Sequence, residues 1–499
     1  MSDHRTLLHG TALNVVGLGA GVVAAFGVQI LLGRTLPVGG LGLVTVAVQV
    51  AFVAAAGSRF GMDMAAVREV AIAQGADAAS HVRSLVDRAV GVAFAISVLV
   101  AVAIAAASPL LGDNQTTVAL AAVSIPFAAV ANTYLGATRG LKSMAPTLWV
   151  FWIGQPVAWI AVAGAAIALG GGTWAAVIAY DVSWIVAAVA ARAMWRRRSA
   201  GMGDEPATRD ELVQALRFGA PRAPSALLAQ ALFWADLWVL DAFASGNTLD
   251  TYAAVGRISQ VILLFLTSLN LLFSPFAADL HARGHRTQLD ALFKSATRWA
   301  LTATAPVVIV LSIAAAQALQ AFNPAFSDGA TALRILLIGQ LINVATGSVG
   351  FVLIMVGRTG VDLIDNILAT VILVGMAIPL ASSYGMNGVA VASAVSLAGV
   401  NMVRLLQVRH IVHIQPYTRS YLHLVVPAAA CAAAALAAHQ LLAGRSWWLV
   451  LFATGAAGFA AYIVLLPMSL PAGEREEVYR RTRRITKRPN VEDTSGGSV

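Results

Sequence analysis

Fourteen apolar stretches, most of them about twenty residues long, follow one another along this chain of 499 residues. An α-helix needs about 20 apolar residues to cross the ~30 Å hydrocarbon core of a bilayer. The composition agrees, since 59% of the residues are hydrophobic and 11% are charged, against about 45–50% and about 25% in soluble domains. The sequence therefore predicts an all-α polytopic membrane protein with about 14 transmembrane helices. The predicted spans are residues 12–33, 40–58, 86–107, 118–137, 146–169, 174–194, 221–244, 252–275, 298–320, 331–356, 361–381, 387–407, 421–442 and 447–466.

The positive charges predict the orientation of these spans. If the N-terminus faces the cytoplasm, all but four of the 33 Lys and Arg residues fall at cytoplasmic ends, in cytoplasmic loops or in the C-terminal tail. Positive residues concentrate on the cytoplasmic side of membrane proteins, so we expect an even number of spans with both termini cytoplasmic. The same bias accounts for the net charge of +9. No nucleic-acid partner is expected, because no basic module with interleaved aromatic residues occurs.

Several kinds of site are missing from the sequence. The single cysteine, Cys431, excludes an intrachain disulfide framework and a cysteine-based zinc cluster. No GxxxxGK motif followed by Ser or Thr occurs, so direct use of ATP is not expected. No connection between spans is long enough for a catalytic domain. We therefore expect a protein that is not an enzyme and that uses no metal and no cofactor.

An internal repeat relates two halves of the chain. The segment GGGTWAAVIAYDVSWIVAAVAARAMWRR at 170–197 is similar to YGMNGVAVASAVSLAGVNMVRLLQVRH at 384–410, and the turn within 31–50 has a counterpart within 240–261. Because six is an even number, helices 7–12 repeat helices 1–6 in parallel, about an axis along the membrane normal. Two lobes with a cleft between them are therefore expected. The predicted divisions are an N-lobe (1–198), a cytoplasmic linker with a short amphipathic helix (199–220), a C-lobe (221–410), helices 13 and 14 (411–470), and a basic, then disordered cytoplasmic tail (471–499).

Four segments carry a resemblance to a known family. They are LLGRTLPVGGLGLVTVAVQV at 31–50, GSRFGMDMAAVREVA at 57–71, the segment from ADLWVLDAF to SPFAADL at 235–280, and the segment from NPAFSDG to MVGRTG at 323–360. In the order and the residue composition of these segments, over about residues 10–415, the chain resembles the polysaccharide-biosynthesis, O-antigen-type flippases. Their superfamily also contains lipid II flippases and multidrug and toxin exporters.

The resemblance implies a function as well as a fold. The implied cargo is a polyprenyl-diphosphate-linked oligosaccharide, which moves from the inner to the outer leaflet of a bacterial plasma membrane by alternating access. The implied cavity is lined by helices 1, 2, 7 and 8. The expected partners are this lipid-linked oligosaccharide, the lipid bilayer and other membrane proteins of polysaccharide assembly.

Ionisable residues within the spans are the candidate site residues, because such residues are costly in a membrane. A diphosphate carries negative charge and acceptor oxygens, which arginine binds through several donors. The predicted substrate-binding residues are Arg257, Arg34, Arg334 and Arg59. The predicted coupling or gating residues are Asp236, Asp241 and Asp181.

Arg257 is the leading candidate, and its role has two interpretations. At about 1.5 Å per residue, its depth in helix 8 overlaps with the depths of Asp236 and Asp241 in helix 7. Either a static ion pair neutralises Arg257, or the diphosphate competes for Arg257 and releases the carboxylate, as in a gate. Both interpretations predict a pair between Arg257 and one of these aspartates.

The other candidates also have structural interpretations. Arg34 can snorkel to the outer interface and Arg334 can anchor a helix end. The position of Arg59 also follows from the positive-inside bias. Asp181 can bind a coupling cation or form hydrogen bonds within its lobe.

Two tryptophan pairs are candidates for stacking on sugar rings. Trp234 and Trp238 are four residues apart on helix 7, and Trp149 and Trp152 share one face of helix 5. Packing and interfacial roles are the commoner use of such residues. The sequence leaves both interpretations open.

An ion-coupled multidrug antiporter of the same superfamily is the alternative function. Such exporters bind cationic drugs with intramembrane carboxylates, and the first predicted helix has none. Asp236 and Asp241 remain available in the second half. The energy source is either proton or sodium coupling through an aspartate, or the membrane potential, which is worth about 2.3 kcal/mol per charge per 100 mV.

Overall fold

A computed structural model describes residues 19–469, apart from 20, 22, 76–80, 142, 204, 221, 264, 267–279, 281–282 and 357. Every regular element within these residues is helical, and no strand occurs among them. The α-helices are α1 (Val23–Thr35), α2 (Gly40–Ser58), α3 (Met62–Gly75), α4 (Val82–Ala107), α5 (Gln115–Ala121), α6 (Ser124–Gly140), α7 (Gln155–Ala168), α8 (Thr173–Arg198), α9 (Arg209–Gly219), α10 (Arg222–Asp241), α11 (Asn247–Ser259), α12 (Arg286–Ile313), α13 (Ala315–Gln320), α14 (Ala330–Thr346), α15 (Val349–Met355), α16 (Thr359–Ile411), α17 (Val425–Leu441) and α18 (Trp447–Ser469). Short 3₁₀ segments are Ser108–Asn114, Pro324–Gly329 and Arg419–Leu424, and a π-helical segment is Thr147–Gly154.

The helices follow the apolar windows of the sequence. Each predicted span overlaps a helix in its described part. Within the described residues, nine helical stretches are long and apolar enough to cross a membrane. The all-helical membrane fold is confirmed, whereas the count of fourteen spans stays a prediction. The start of the first span and the tail 471–499 lie outside the described residues.

The longest helix, α16, covers two predicted spans. Its 53 residues would measure roughly 80 Å if straight, more than twice the hydrocarbon thickness. The backbone leaves the helical conformation at Gly385, with φ 54° and ψ −136°. A side chain rarely tolerates this conformation, whereas glycine adopts it readily. The break lies between spans 361–381 and 387–407, where the sequence predicts a turn.

One helix was missed by the sequence analysis. α3 lies in the predicted loop between the second and third spans, where charged residues interrupt the apolar pattern. It packs against α6 and α9, and its Met62 and Ala65 contact Ala215 of α9 in a buried cluster. The loop therefore contains a helix that packs against the linker helix, rather than a simple connection.

The linker helix α9 begins with a capping box formed by Thr208 and Glu211. The backbone N–H of Glu211 donates to Thr208 Oγ1 (3.3 Å), and the backbone N–H of Thr208 donates to Glu211 Oε2 (2.6 Å). This second hydrogen bond lowers the pKa of the Glu211 carboxyl, because it favours the charged form.

The described residues divide into two compact units. One unit contains residues up to 304 together with 315–416, and the other contains 305–314 and residues from 417 onward. In the smaller unit, α17 packs on α18, and Val310, Cys431, Ala435 and Tyr462 form a buried cluster.

Within the larger unit, α2 joins the two halves of the chain. This helix contacts α5, α6 and α8 of the first half, and it also contacts α10 and α11 of the second half. Both α2 and α11 start after a glycine with positive φ, Gly39 (89°) and Gly246 (63°). The two turns that the sequence relates by its repeat therefore both use a conformation that favours glycine.

Candidate functional site

Hydrogen bonds between the two halves close the end at which α1 passes into α2, the predicted outer end. The Asp250 carboxylate, in the first turn of α11, accepts from the backbone N–H groups of Gly39 (2.6 Å) and Gly42 (2.5 Å) at the start of α2. The first N–H groups of a helix lack partners within the helix and attract negative charge. Asp250 is 3% exposed, so water competes little for these bonds.

Three more contacts complete this arrangement, which we call the outer closure. Asn114 Nδ2 donates to Asp241 Oδ2 (2.5 Å), Arg34 Nε donates to the Ala321 carbonyl (2.8 Å), and Asn323 Nδ2 donates to the Gly33 carbonyl (2.9 Å). Each contact joins the first half of the chain to the second. Arg34 and Asp241, predicted as a substrate-binding and a gating residue, both lie in this closure.

A polar cavity of about 180 Å³ lies mainly between helices of the second half. Helices α10, α11, α14 and α16 line it, and α2 contributes Thr45 and Gln49. Asp236 faces this cavity and accepts from Tyr252 Oη (2.9 Å) and Ser393 Oγ (2.8 Å). The carboxylate is thus held by hydroxyl groups.

An aromatic cavity of about 230 Å³ lies beside helices of the first half. Helices α1, α2, α7 and α8 and the π-helical segment line it, together with two residues of the second half, Trp234 and Arg257. The implied lining by helices 1, 2, 7 and 8 was therefore incomplete, because predicted helices 5 and 6 also contribute. The aromatic residues of the first half that line it are Phe52, Phe151, Trp152, Trp159, Tyr180 and Trp184.

Four residues line both cavities: Thr45, Gln49, Trp234 and Arg257. The Arg257 guanidinium carbon lies 5.8 Å from the centroid of the Trp234 ring, within the range of a cation–π contact. Arg257 is therefore a cation at the junction of a polar and an aromatic space.

The predicted ion pair of Arg257 is wrong. Among the described residues, no carboxylate oxygen lies within salt-bridge distance of Arg257. Asp236 is bound by Tyr252 and Ser393, and Asp241 is bound by Asn114. The prediction used only the depths of these residues in their helices. Equal depth does not fix the direction in which a side chain points.

The remaining candidates lie away from the two cavities. Arg59 pairs with Asp63 on the next helix (3.5 Å), and Arg334 is exposed on α14. Asp181 is 5% exposed and lies against Ser124 at the start of α6. None of Arg59, Arg334 and Asp181 is among the described residues that line either cavity.

In each tryptophan pair, one member lines a cavity and the other does not. Trp152 lines the aromatic cavity, whereas Trp149 is 57% exposed. These residues belong to the π-helical segment, whose wider turn moves residues three apart onto different faces. On α10, Trp234 lines both cavities. Trp238 is not among the described residues that line either of them.

Sequence reasoning missed three polar residues of this region: Asp250, Gln29 and Gln49. Asp250 resembled an ordinary first-turn acid, and only the fold brings α2 to it. The two glutamines are 1% and 7% exposed. A glutamine within an otherwise apolar span is the signal that was available.

The fold is similar to that of solved transporter structures. A structure described as "Lipid II flippase MurJ, inward closed conformation" matches with a TM-score of 0.70 at 12% identity, over 96% of this chain and 100% of that chain. An inward-facing multidrug resistance MATE family transporter of the MOP superfamily matches with a TM-score of 0.60 at 16% identity, over 80% of this chain and 94% of that chain. A MOP superfamily transporter from Pyrococcus furiosus, described as having a binding pocket of reverse polarity, matches with a TM-score of 0.58 at 16% identity, over 82% and 96%. At these identities the likeness shows the fold.

The family follows from the sequence itself. No curated protein sequence matches this chain. The sequence model of the family described as "Polysaccharide biosynthesis protein" matches residues 7–277, which is more than half of the 499 residues. The chain is therefore a member of the polysaccharide biosynthesis protein family, and its fold is similar to that of the MOP superfamily structures.

Proposed function

We propose that this protein carries a polyprenyl-diphosphate-linked oligosaccharide from the inner to the outer leaflet of a bacterial plasma membrane. The observation that carries the proposal is Arg257, a cation on the wall shared by the two cavities that has no carboxylate partner among the described residues. A diphosphate supplies the charge and acceptor oxygens that a guanidinium binds. Family membership and a fold similar to that of a lipid II flippase support the same cargo class.

The proposed mechanism is alternating access between two lobes. Fourteen spans form two parallel six-helix repeats and two further helices, with both termini in the cytoplasm. The outer closure opens when Asp250 releases the start of α2, and the cargo then leaves toward the outer leaflet. Asp236 couples this motion to a proton or a cation, because it is a carboxylate that faces the polar cavity.

Lipid analysis of a deletion strain tests this function. Mass spectrometry of lipid extracts is expected to show a polyprenyl-diphosphate oligosaccharide that accumulates without the protein and falls when the protein is restored. The Arg257→Ala variant is expected not to clear this lipid, since the diphosphate loses its cation. Arg197→Ala is the matched control, because Arg197 is exposed near the end of α8 and should clear the lipid normally. An unchanged lipid pool in the deletion strain overturns the proposal.

Multidrug antiport is the second candidate, and one observation favours it: the half-buried carboxylate of Asp236 beside the polar cavity. A cationic drug needs such a charge, but it would also lie near the Arg257 cation. If the deletion strain becomes sensitive to cationic dyes while its lipid pool is unchanged, antiport replaces the proposed function. Asp236→Asn should then produce the same sensitivity.

A further inference from the structure

The aromatic cavity contains polar atoms that lack partners. Among the described residues, Gln29 Oε1, Gln49 Oε1 and Trp234 Nε1 are buried and have no hydrogen-bond partner, and all three residues line this cavity. A buried polar group without a partner costs about 1–3 kcal/mol. Such groups gathered around one cavity indicate that a ligand supplies their partners.

The unpaired atoms define the chemistry of this ligand. The two glutamine oxygens accept hydrogen bonds, and the indole N–H of Trp234 donates one. The ligand must therefore carry both donors and acceptors, as hydroxyl groups do. The aromatic walls require apolar faces on the same ligand.

The charges around the aromatic cavity narrow the class of ligand further. No Asp or Glu is among the described residues that line the aromatic cavity, and its one charged lining residue is Arg257. A cation would thus meet a guanidinium without a compensating carboxylate. An anion would satisfy Arg257 but leave both glutamine oxygens without donors. An uncharged, polyhydroxylated ring satisfies all of these groups, because its hydroxyls donate and accept and its C–H faces pack on aromatic rings.

We propose that the aromatic cavity binds one uncharged pyranose ring, the sugar attached directly to the diphosphate of the cargo. This inference rests on the proposed function. The cavity volume of about 230 Å³ is below the roughly 300–1,000 Å³ of sites for drug-sized ligands, so it suits one ring. Arg257 at its edge places the diphosphate beside that ring. The first sugar of the cargo is therefore selected as a neutral sugar in this cavity.

Saturation-transfer NMR on the full chain in lipid nanodiscs tests the assignment. The probes are methyl glucoside, methyl galactoside and methyl N-acetylglucosaminide, with glucuronate and glucosamine as charged counterparts. We expect saturation transfer to the ring protons of at least one neutral probe, and weaker transfer to its charged counterpart. Gln29→Leu and Gln49→Leu are each expected to weaken binding of that neutral probe about five-fold, the scale of one lost neutral hydrogen bond.

A matched substitution separates binding from folding. Gln317→Leu removes another buried, unpaired glutamine oxygen at a residue that is not among those lining the aromatic cavity, and it should leave probe binding unchanged. In all three variants the unfolding temperature should stay the same or rise, since each removes an unsatisfied group. A drop confined to Gln29→Leu and Gln49→Leu would show a structural role for those residues and overturn the site.

The outcomes distinguish this inference from the proposed function. If no neutral probe shows saturation transfer, or if both cavity variants bind like the parent, the sugar site is wrong. The proposed function still stands in that case if the deletion strain accumulates its lipid-linked oligosaccharide. If the accumulated lipid has a charged sugar next to the diphosphate, the flippase function holds and the neutral-sugar assignment falls.

Discussion

Arg257 of α11 and Asp236 of α10 both line the polar cavity, yet their side chains have different surroundings. Asp236 is held by the hydroxyls of Tyr252 and Ser393, and Arg257 lies over Trp234. A charged group without an ionic partner is costly in a membrane. Under the proposed function, this separation leaves the Arg257 cation available to an anionic cargo and the Asp236 carboxylate available to a coupling ion.

The separation of these residues predicts separable defects. Asp236→Asn keeps the shape of the side chain, but it removes the charge and replaces one acceptor oxygen with a donor NH2 group. We expect this variant to accumulate the lipid-linked oligosaccharide as the deletion strain does, while the purified protein still binds the neutral sugar probe. Asp328→Asn, at an exposed carboxylate, is the control and should export normally. Normal export by Asp236→Asn would remove Asp236 from the coupling mechanism.

At the scale of residues, the sequence indicated the important charges but not their partners. Arg257 could be selected because it is an arginine inside an apolar span. Its relation to Trp234 and Gln49 depends on how α2, α10 and α11 pack, and no local pattern encodes that packing. The same limit explains why Asp250 was missed and why the ion pair of Arg257 was wrong.

Short helices, unlike the long spans, depend on tertiary contacts. The apolar windows predict most helices of this protein, because length and hydropathy suffice for them. α3 carries charged residues and lacks a long apolar run, so its helix is favoured by packing against α6 and α9. The connection from α2 to α3 passes through Gly61, with φ 70°.

Gly61 is therefore expected to be a sensitive position. A β-carbon there would collide with the Gly219 backbone of the linker, and the backbone conformation is also one that side chains disfavour. Gly112 has a similar φ of 57° but has open space around its β-position. We expect Gly61→Ala to lower the unfolding free energy by more than about 2 kcal/mol, and Gly112→Ala by about 1 kcal/mol.

Thermal unfolding of the purified variants checks this difference. Because both positions have a positive φ, the excess in Gly61→Ala reports mainly on the contact between the start of α3 and the end of α9. Equal losses in the two variants would mean that the linker can move away without cost, and that the close approach of Gly61 to Gly219 contributes nothing to stability.

For the whole molecule, the proposed function makes the outer closure one state of a transport cycle. Its contacts are hydrogen bonds between the two halves, and hydrogen bonds to charged groups contribute about 1.5–3 kcal/mol each. The summed free energy of a few such bonds is similar to the free-energy difference of a few kcal/mol between the two conformations of a switching protein. In the proposed cycle, bonds of this strength can hold the outer end shut in one state and break in the other.

Cross-linking the outer closure should stop export reversibly. Asn114 and Asp241 join the two halves through a 2.5 Å hydrogen bond, so a short bis-methanethiosulfonate reagent can link cysteines at both positions through two reducible disulfides. The single native cysteine, Cys431, is replaced by alanine so that the reagent has no other target. We expect the lipid-linked oligosaccharide to accumulate after cross-linking and to clear again after reduction.

A second cysteine pair shows whether the position of the cross-link matters. Ser84 and Ala207 are joined by a 3.0 Å hydrogen bond at the opposite end of the first half, and cross-linking them should leave export intact. If this pair blocks export and the pair at Asn114 and Asp241 does not, the moving contact lies at the predicted cytoplasmic end. The outer closure would then be a static part of the fold, because a contact that can be tied permanently without loss of transport does not open in the cycle.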